Sequence, residues 1–302
     1  MRNKAILATL VSALMFGLSP VIAKQVFNSG VNVWTMVFLR NLLALPFLAL
    51  LIRWNKLSFK IDKTLWLDLL GLAVFGQAMT TLLAYSAYAY LATGTITTLH
   101  FLFPVFITLI YFFFYKERIH WAQWLALILA LLGSLTFMDY ESNMSWLGIG
   151  LAVGSAISYA FYFIRIDKSK LKAIHPYQLS FYLSLISSFL LGTLTFGTNS
   201  FTQPEPSILG LIIIVSMLTS FLGVVLLQVG IKGLGALNAS ILCLLEPITS
   251  IIAGIIVYKE PFSALIGLSS FLILSSVGFL IFSQRKSNET LSVGLEFDKL
   301  KA

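Results

Sequence analysis

Long apolar runs separated by short polar breaks follow one another along almost the whole chain. A run of roughly 20 residues with few charges is long enough, as a helix, to cross the hydrocarbon of a bilayer. The pattern predicts ten such helices, near residues 5–26, 32–52, 65–89, 94–114, 120–138, 145–165, 176–196, 207–230, 236–257 and 262–282. The third and fourth are parted by little more than Ala92, Thr93 and Gly94, and the eighth and ninth by the stretch from Lys232 to Gly235. A polar tail over 284–302 follows the last run.

Composition agrees with this pattern. Of 302 residues, 58% are hydrophobic and 11% charged, more apolar surface than a soluble fold of this size hides. The fold class is therefore all-α integral membrane, with the lipid bilayer as its surroundings. The first run resembles a signal peptide in having Arg2 and Lys4 ahead of an apolar stretch and Val21 and Ala23 at cleavage-like spacing. An internal repeat, described below, includes this run, so it is read as a retained span. The single cysteine, Cys243, lies within an apolar run and supports neither a disulfide framework nor a cysteine metal site.

The net charge of +8 acts on topology rather than on nucleic acid. Seventeen of the 20 Lys and Arg residues fall on one side of the membrane if both termini share that side. Lys24 and Lys259 fall on the other, and Arg40 lies within a span. Asp139, Glu141 and Glu205 occupy the sparsely basic side. By the positive-inside rule, this bias predicts an even number of spans with both termini cytoplasmic, in the inner or plasma membrane.

A shift of 143 positions brings out the repeat. Pro104 falls on Pro247, Tyr115-Lys116-Glu117 on Tyr258-Lys259-Glu260, and Ser12-Ala13 on Ser155-Ala156. Each unit holds five predicted spans. Because five is odd, the second unit must sit inverted relative to the first, an arrangement many secondary transporters use. The expected organisation is a first repeat over 1–140, a second over 144–283 and a short cytoplasmic tail over 284–302.

Both units also carry a small-residue helix start, a midspan proline and a terminal Lys-Glu, in ATGTITTLHFLFPVFITLIYFFFYKER and LGALNASILCLLEPITSIIAGIIVYKEP. Together with the arginine of VFLRNLLALPF, these features resemble the EamA-like carriers of the drug/metabolite transporter superfamily. The resemblance covers residues 5–283. It implies ten helices in two inverted five-helix repeats around a central cavity lined by spans 1, 3, 4, 6, 8 and 9, with spans 5 and 10 behind. Pro261 after Glu260, and a second span opening on VNVW where the seventh opens on His175-Pro176, depart from the family's usual pattern.

Several midspan residues are candidates for function. Pro104 and Pro247 each lack a backbone donor, leaving the carbonyl four residues earlier, on His100 or Cys243, in need of another partner. In hydrocarbon that defect needs neighbouring helices, side chains or cavity water, so the prolines are read as packing kinks or as a pair of hinges at a central site. Glu246 and Arg40 reach similar depth, where charge is costly. Three readings are open: a buried salt bridge, recognition of a substrate carboxylate by Arg40 and amine by Glu246, or proton coupling through Glu246. Gln77, Thr80, Thr81 and Tyr85 form one polar arc, Gln77 maps onto Ser220 under the shift, and Ser155, Ser158, Tyr159 and Tyr162 form another arc. His100 is read as a hydrogen-bonded packing residue or a proton shuttle. Lys24 is expected to snorkel, Glu117 and Glu260 to be interfacial, and Gly150 and Gly154 to admit close helix approach.

The candidate substrate or coupling set is thus Arg40, Gln77, Thr81, Tyr85, His100, Tyr159, Ser220 and Glu246, with Pro104 and Pro247 as hinges. The expected function is secondary transport of small metabolites, amino acids or related amphipathic compounds, in the export direction and by alternating access. No cofactor, metal or nucleic acid is expected, a coupling proton is one option, and oligomeric state is left open, with a monomer sufficient. There is no GxxxxGK[ST] segment to bind a nucleotide. An intramembrane enzyme would need converging carboxylates or histidines, and the chain lacks HExxH and paired aspartates. A scaffold or receptor would call for sizeable loops.

Overall fold

The computed structural model describes residues 2–91, 93–135, 145–259 and 267–282. All regular structure among them is helical. Eight helices are long and apolar enough to cross a membrane: α1 (Arg2–Asn28), α2 (Val33–Trp54), α3 (Lys63–Ala87), α4 (Thr95–Phe113), α6 (Trp146–Lys168), α7 (Pro176–Gly197), α8 (Pro206–Leu234) and α9 (Ala236–Tyr258). Two shorter apolar helices, α5 (Trp121–Leu135) and α10 (Gly267–Phe282), complete the bundle. Asp139, Glu141, Glu260, Pro261 and the 284–302 tail lie outside the described residues.

Local chemistry accounts for several boundaries. Asn32 caps α2 by accepting from Thr35 N (2.9 Å), and Ser145 caps α6 by accepting from Gly148 N (3.3 Å). Gly30 (φ +88°) and Gly235 (φ +80°) turn the chain after α1 and between α8 and α9, in backbone conformations glycine adopts without strain. All six tryptophans, Trp34, Trp54, Trp66, Trp121, Trp124 and Trp146, stand in the first or last turn of a helix, where an amphipathic ring meets the headgroup region.

Contacts fix which helix ends lie together. Gly233 and Gly230 of α8 pack on Ala5 and Thr9 of α1. Gln123 of α5 donates to Asn238 of α9 (2.9 Å), Tyr111 of α4 to Asp167 of α6 (2.6 Å), and Arg165 of α6 to Asp68 of α3. Lys232 of α8 donates to the Ile174 carbonyl before α7, and Tyr182 of α7 to the Phe59 carbonyl after α2. These define one face of the bundle, the Lys168 end. At the other, the Tyr258 end, Gly148 of α6 meets Leu91 after α3, and Asn32 donates to the Ser200 carbonyl after α7. Thr98 of α4 bonds the Ser134 carbonyl of α5 (2.8 Å), and Tyr258 of α9 the Val21 carbonyl of α1 (2.8 Å). Gly133 of α5 lies against Ser269 and Ile273 of α10.

Helix pairing repeats across the chain. α1 packs along α8 and α9, α6 packs along α3 and α4, and α2 packs along α7; the 143-residue shift exchanges the first two sets and returns the third to itself. Backbone irregularities follow the same shift. α3 is π-helical over Leu72–Ala78 and α8 over Ser216–Gly223. α4 breaks at Phe101 and Leu102, and α9 tightens to a 3₁₀ turn over Cys243–Leu245. Pro104 and Pro247 each take the second position of the helical segment after the break, where the missing N–H has no intrahelical partner to lose. Carbonyls of the π segments are bonded by hydroxyls from neighbouring helices: Ser158 to Phe75, Ser187 to Ala73 (3.3 Å) and Ser12 to Gly223 (2.8 Å). In hydrocarbon no water would replace these donors.

Glycine placement corrects one expectation. Gly150 faces open space and admits no close approach, whereas a Cβ on Gly154 would stand 3.3 Å from a Leu83 methyl of α3, a close contact as expected. Tighter approaches include Gly17 against α9, Gly230 and Gly233 against α1, Gly148 against Leu91, and Gly192 against Phe38 of α2.

Candidate functional site

A cavity lies among α1, α2, α3, α4, α6, α8 and α9. About 960 Å³ of empty space lies within it, open space at its mouth included. Its walls are mostly aromatic and apolar, from Phe16, Tyr85, Tyr88, Phe101, Tyr159 and Tyr162, with polar groups at a few points. The lining runs along α3 from Gly76 to Tyr85 and on to Tyr88 just after it, and along α4 from Ile96 to Phe101, toward the Tyr258 end. On α6 it extends from Tyr159 to Tyr162 and on α8 from Thr219 to Leu227.

Arg40 and Glu246 both line this cavity. Arg40 is 6% exposed, and α8 holds it from two sides. Its Nε donates to Ser220 Oγ (3.0 Å), and Ser216 Oγ donates to its carbonyl (2.6 Å). Both serines belong to the π segment of α8. One Nη donates to the Tyr85 hydroxyl (3.4 Å), which also lies 3.4 Å from Ser19 Oγ. The remaining guanidinium donors have no protein partner among the described residues. Glu246 stands at the first position of the segment after the α9 break, and its carboxylate makes no hydrogen bond to a described residue. The two charges are not paired: no ion pair within 4.0 Å joins them, so the salt bridge entertained from sequence is absent here. Tyr159 lines the same cavity.

The polar arcs take part differently. Gln77 and Thr81 line the cavity. Gln77 Nε2 donates to Asn41 Oδ1 (2.9 Å), Asn41 Nδ2 to the Val37 carbonyl (2.8 Å), and Thr81 Oγ1 to the Gln77 carbonyl (2.6 Å). The π segments of α3 and α8 thereby hold consecutive α2 residues, Asn41 through Gln77 and Arg40 through Ser220. His100 lines the cavity, bonds Ser155 Oγ through Nδ1 (2.8 Å) and stacks on Tyr159 with ring centroids 5.3 Å apart. Its packing role and its place on the wall are therefore compatible. Tyr162 accepts from Gln228 Nε2 (3.1 Å) at the floor.

The structure thus gathers Arg40, Gln77, Thr81, Tyr85, His100, Tyr159, Glu246 and Pro247 around one space, with Ser220 buried behind Arg40. Pro104 is buried and does not line it. Lys24 rides over the Tyr258 ring at 4.6 Å, and Glu117 pairs with Lys168. Among the described residues, no three His, Cys, Asp or Glu side chains gather to hold a metal.

Two groups escaped the sequence reading. Asn41 was hidden beside the more conspicuous Arg40. Asp167 lies between Arg165 and Lys168 and reads as an interfacial charge, yet it is 9% exposed. It accepts from Tyr111 (2.6 Å), Lys172 (2.7 Å) and Ala236 N (3.1 Å). The signal available was its position one turn before a cluster of lysines at a helix end.

The profile of the EamA-like transporter family matches residues 3–138 and 146–282. An uncharacterized transporter of Archaeoglobus fulgidus is 24% identical over 199 residues, 65% of this chain and 71% of that protein. One of Synechocystis is 25% identical over 244 residues, 74% of this chain and 72% of that protein. A solved crystal structure superposes with a TM-score of 0.81 at 13% identity, covering 93% of this chain and 99% of that one, a likeness of fold alone.

Proposed function

We propose, since the chain belongs to the EamA-like transporter family, that it is a secondary carrier exporting a small amphipathic solute with both a carboxylate and an amine, such as an amino acid. On this reading the ten helices form two inverted five-helix repeats, and the solute site alternates between the two faces. The repeated helix pairing and the matched π segments and breaks support the inverted repeat. The charge bias in the sequence supports a cytoplasmic Lys168 end, and the reading takes the inner or plasma membrane as the protein's location.

The observation that carries the solute class is the unpaired Arg40 and Glu246 on one cavity. Each charge is costly at this depth without a partner, and neither uses the other. A zwitterion satisfies both: its carboxylate takes the free donors of Arg40, whose planar group suits bidentate recognition, and its ammonium takes Glu246. Ser220 and Tyr85 hold the guanidinium in place, so little side-chain freedom is lost on binding. Gln77, Thr81, His100 and Tyr159 supply the remaining wall. A proton on Glu246 is the second reading, supported by the same lack of a partner.

Proteoliposome uptake and counterflow against a panel of amino acids, their decarboxylated amines and their deaminated acids test this. Arg40→Gln is expected to depress flux of carboxylate-bearing solutes at least tenfold while sparing the amines, and Glu246→Gln to do the reverse. Equal loss for every solute in folded variants would make the charges structural. Loss of pH-gradient-driven flux alone in Glu246→Gln, with exchange retained, would favour the proton.

A further inference from the structure

The two ends of the bundle differ in what fills them. Toward the Lys168 end, the space beyond the cavity is packed by Phe103, Ile107, Phe163, Ile166, Leu237 and Ile241, all buried. The 143-residue shift carries Phe103, Ile107 and Tyr111 of α4 onto Glu246, Ser250 and Gly254 of α9. It carries Tyr162, Phe163 and Ile166 of α6 onto Ser19, Pro20 and Ala23 of α1. Where α4 meets α6 the side chains are bulky; where α9 meets α1 they are small. The α4–α6 seam is therefore the more heavily filled of the two.

Beyond the apolar plug, the last turn of α6 is tied to three other helices. Asp167 receives Tyr111 of α4, Lys172 of the α6–α7 connection and the first N–H of α9, at 2.6, 2.7 and 3.1 Å. Gly235, with φ +80°, brings that N–H to the carboxylate. Lys168 lies 4.7 Å over the Tyr111 ring and pairs with Glu117, and Arg165 pairs with Asp68 of α3. At the Tyr258 end, the counterpart of Asp167 is Lys24, with its ring contact to Tyr258. A nearly buried carboxylate with three donors holds its partners more firmly than an exposed pair, because loss of one donor leaves charge uncompensated.

We propose that Asp167 is the latch of the closed end, and that its release opens the α4–α6–α9 seam and exposes Cys243. This rests on the inverted-repeat reading above. The shift carries Cys243 onto His100, which lines the open cavity, whereas Cys243 is 1% exposed in the apolar cluster. In the reversed state, Cys243 takes the place on the wall that His100 holds here. The latch sets the balance between the states, since breaking it removes contacts made in only one of them.

As the one cysteine of the chain, Cys243 is a built-in reporter. Full-length protein in liposomes is treated with a small, charged, membrane-impermeant methanethiosulfonate from either face, and labelling is followed by mass spectrometry. Asp167→Asn is expected to speed labelling from the Lys168 face about tenfold, and Tyr111→Phe several-fold, the scale of losing a hydrogen bond to a charged group. Cys243→Ala gives the blank. Tyr111→Phe keeps the ring and carries the test if Asp167→Asn does not fold. Rates within twofold of wild type in folded variants, or faster labelling from the Tyr258 face, would overturn the latch. Faster labelling from the Lys168 face without flux of any solute in the panel would uphold the latch and count against the solute assignment instead.

Discussion

Replacing Gly17 by alanine puts one methyl group at the closest approach of α1 to α9. A Cβ there would stand 2.5 Å from the Glu246 carbonyl oxygen, 2.6 Å from Thr249 Cβ and 3.2 Å from Ser250 N. Two of these three are backbone atoms, so no side-chain rotation relieves the overlap. The helices must part by roughly 1 Å to restore ordinary contact. Overpacking of this kind costs about 1–3 kcal/mol, against a gain of about 1 kcal/mol from replacing glycine within a helix. Because the displaced segment begins at Glu246, transport should fall more than stability does. Gly150→Ala is the matched comparison: nothing lies within 4 Å of its Cβ position, so it should be neutral or stabilising. Thermal unfolding in detergent, followed by tryptophan fluorescence, should put Gly17→Ala a few degrees below Gly150→Ala, at roughly 2–4 °C per kcal/mol for a large domain. The close-packing argument fails if Gly17→Ala melts at or above Gly150→Ala with flux unchanged.

Two further changes probe the bundle ends. Gly235→Ala forces a side chain into φ +80°, ψ 159°, a region almost restricted to glycine, and should lower stability by about 1–3 kcal/mol in the same melting assay. His175 caps α7 by accepting from Tyr177 N through Nδ1 (3.3 Å), and burial, with Lys232 nearby, holds its imidazole below the ordinary range. The unfolded chain therefore binds the extra proton first, so the cap's contribution is present above about pH 6.5 and is lost as pH falls below it. Melting of wild type and His175→Asn between pH 5 and 8 should show the wild type losing more stability than the variant as pH falls below about 6.5, the difference between the two curves being the contribution of His175.

Much of the bundle was legible in the sequence because membrane helices obey a severe rule: the backbone must satisfy itself, and the outside must be apolar. That rule sets the apolar runs, and Trp54, Trp121 and Trp146 mark their ends. The site was partly legible for a related reason. Arg40 and Glu246 stand out because charge at that depth is rare, and both line the cavity. Their separation was not legible, since Ser216 and Ser220 hold Arg40 only once a π segment has turned them toward α2. A π segment leaves no mark in apolar periodicity. Asp167 was missed for the opposite reason: among neighbouring charges at a helix end its sequence is ordinary, and only the convergence of Tyr111 and Ala236 N gives it weight.

The halves of the chain share what bends and differ in what fills. Proline at the start of a second segment, a break before it, and a π stretch in α3 and α8 occur in both, and each loosens the ladder where helices would have to flex. Side-chain volume diverges instead: Phe103 against Glu246, Ile107 against Ser250, Tyr162 against Ser19. Equal volumes would leave nothing to favour one open face, and a second midspan carboxylate, in α4, would add its own desolvation cost at the centre. With bulk in α4 and α6 and the cavity-lining carboxylate in α9, side-chain volume on the proposed reading closes the Lys168 end and leaves Glu246 in the cavity. Exchanging Ile107 for serine and Ser250 for isoleucine together would then tilt the preference toward the opposite face.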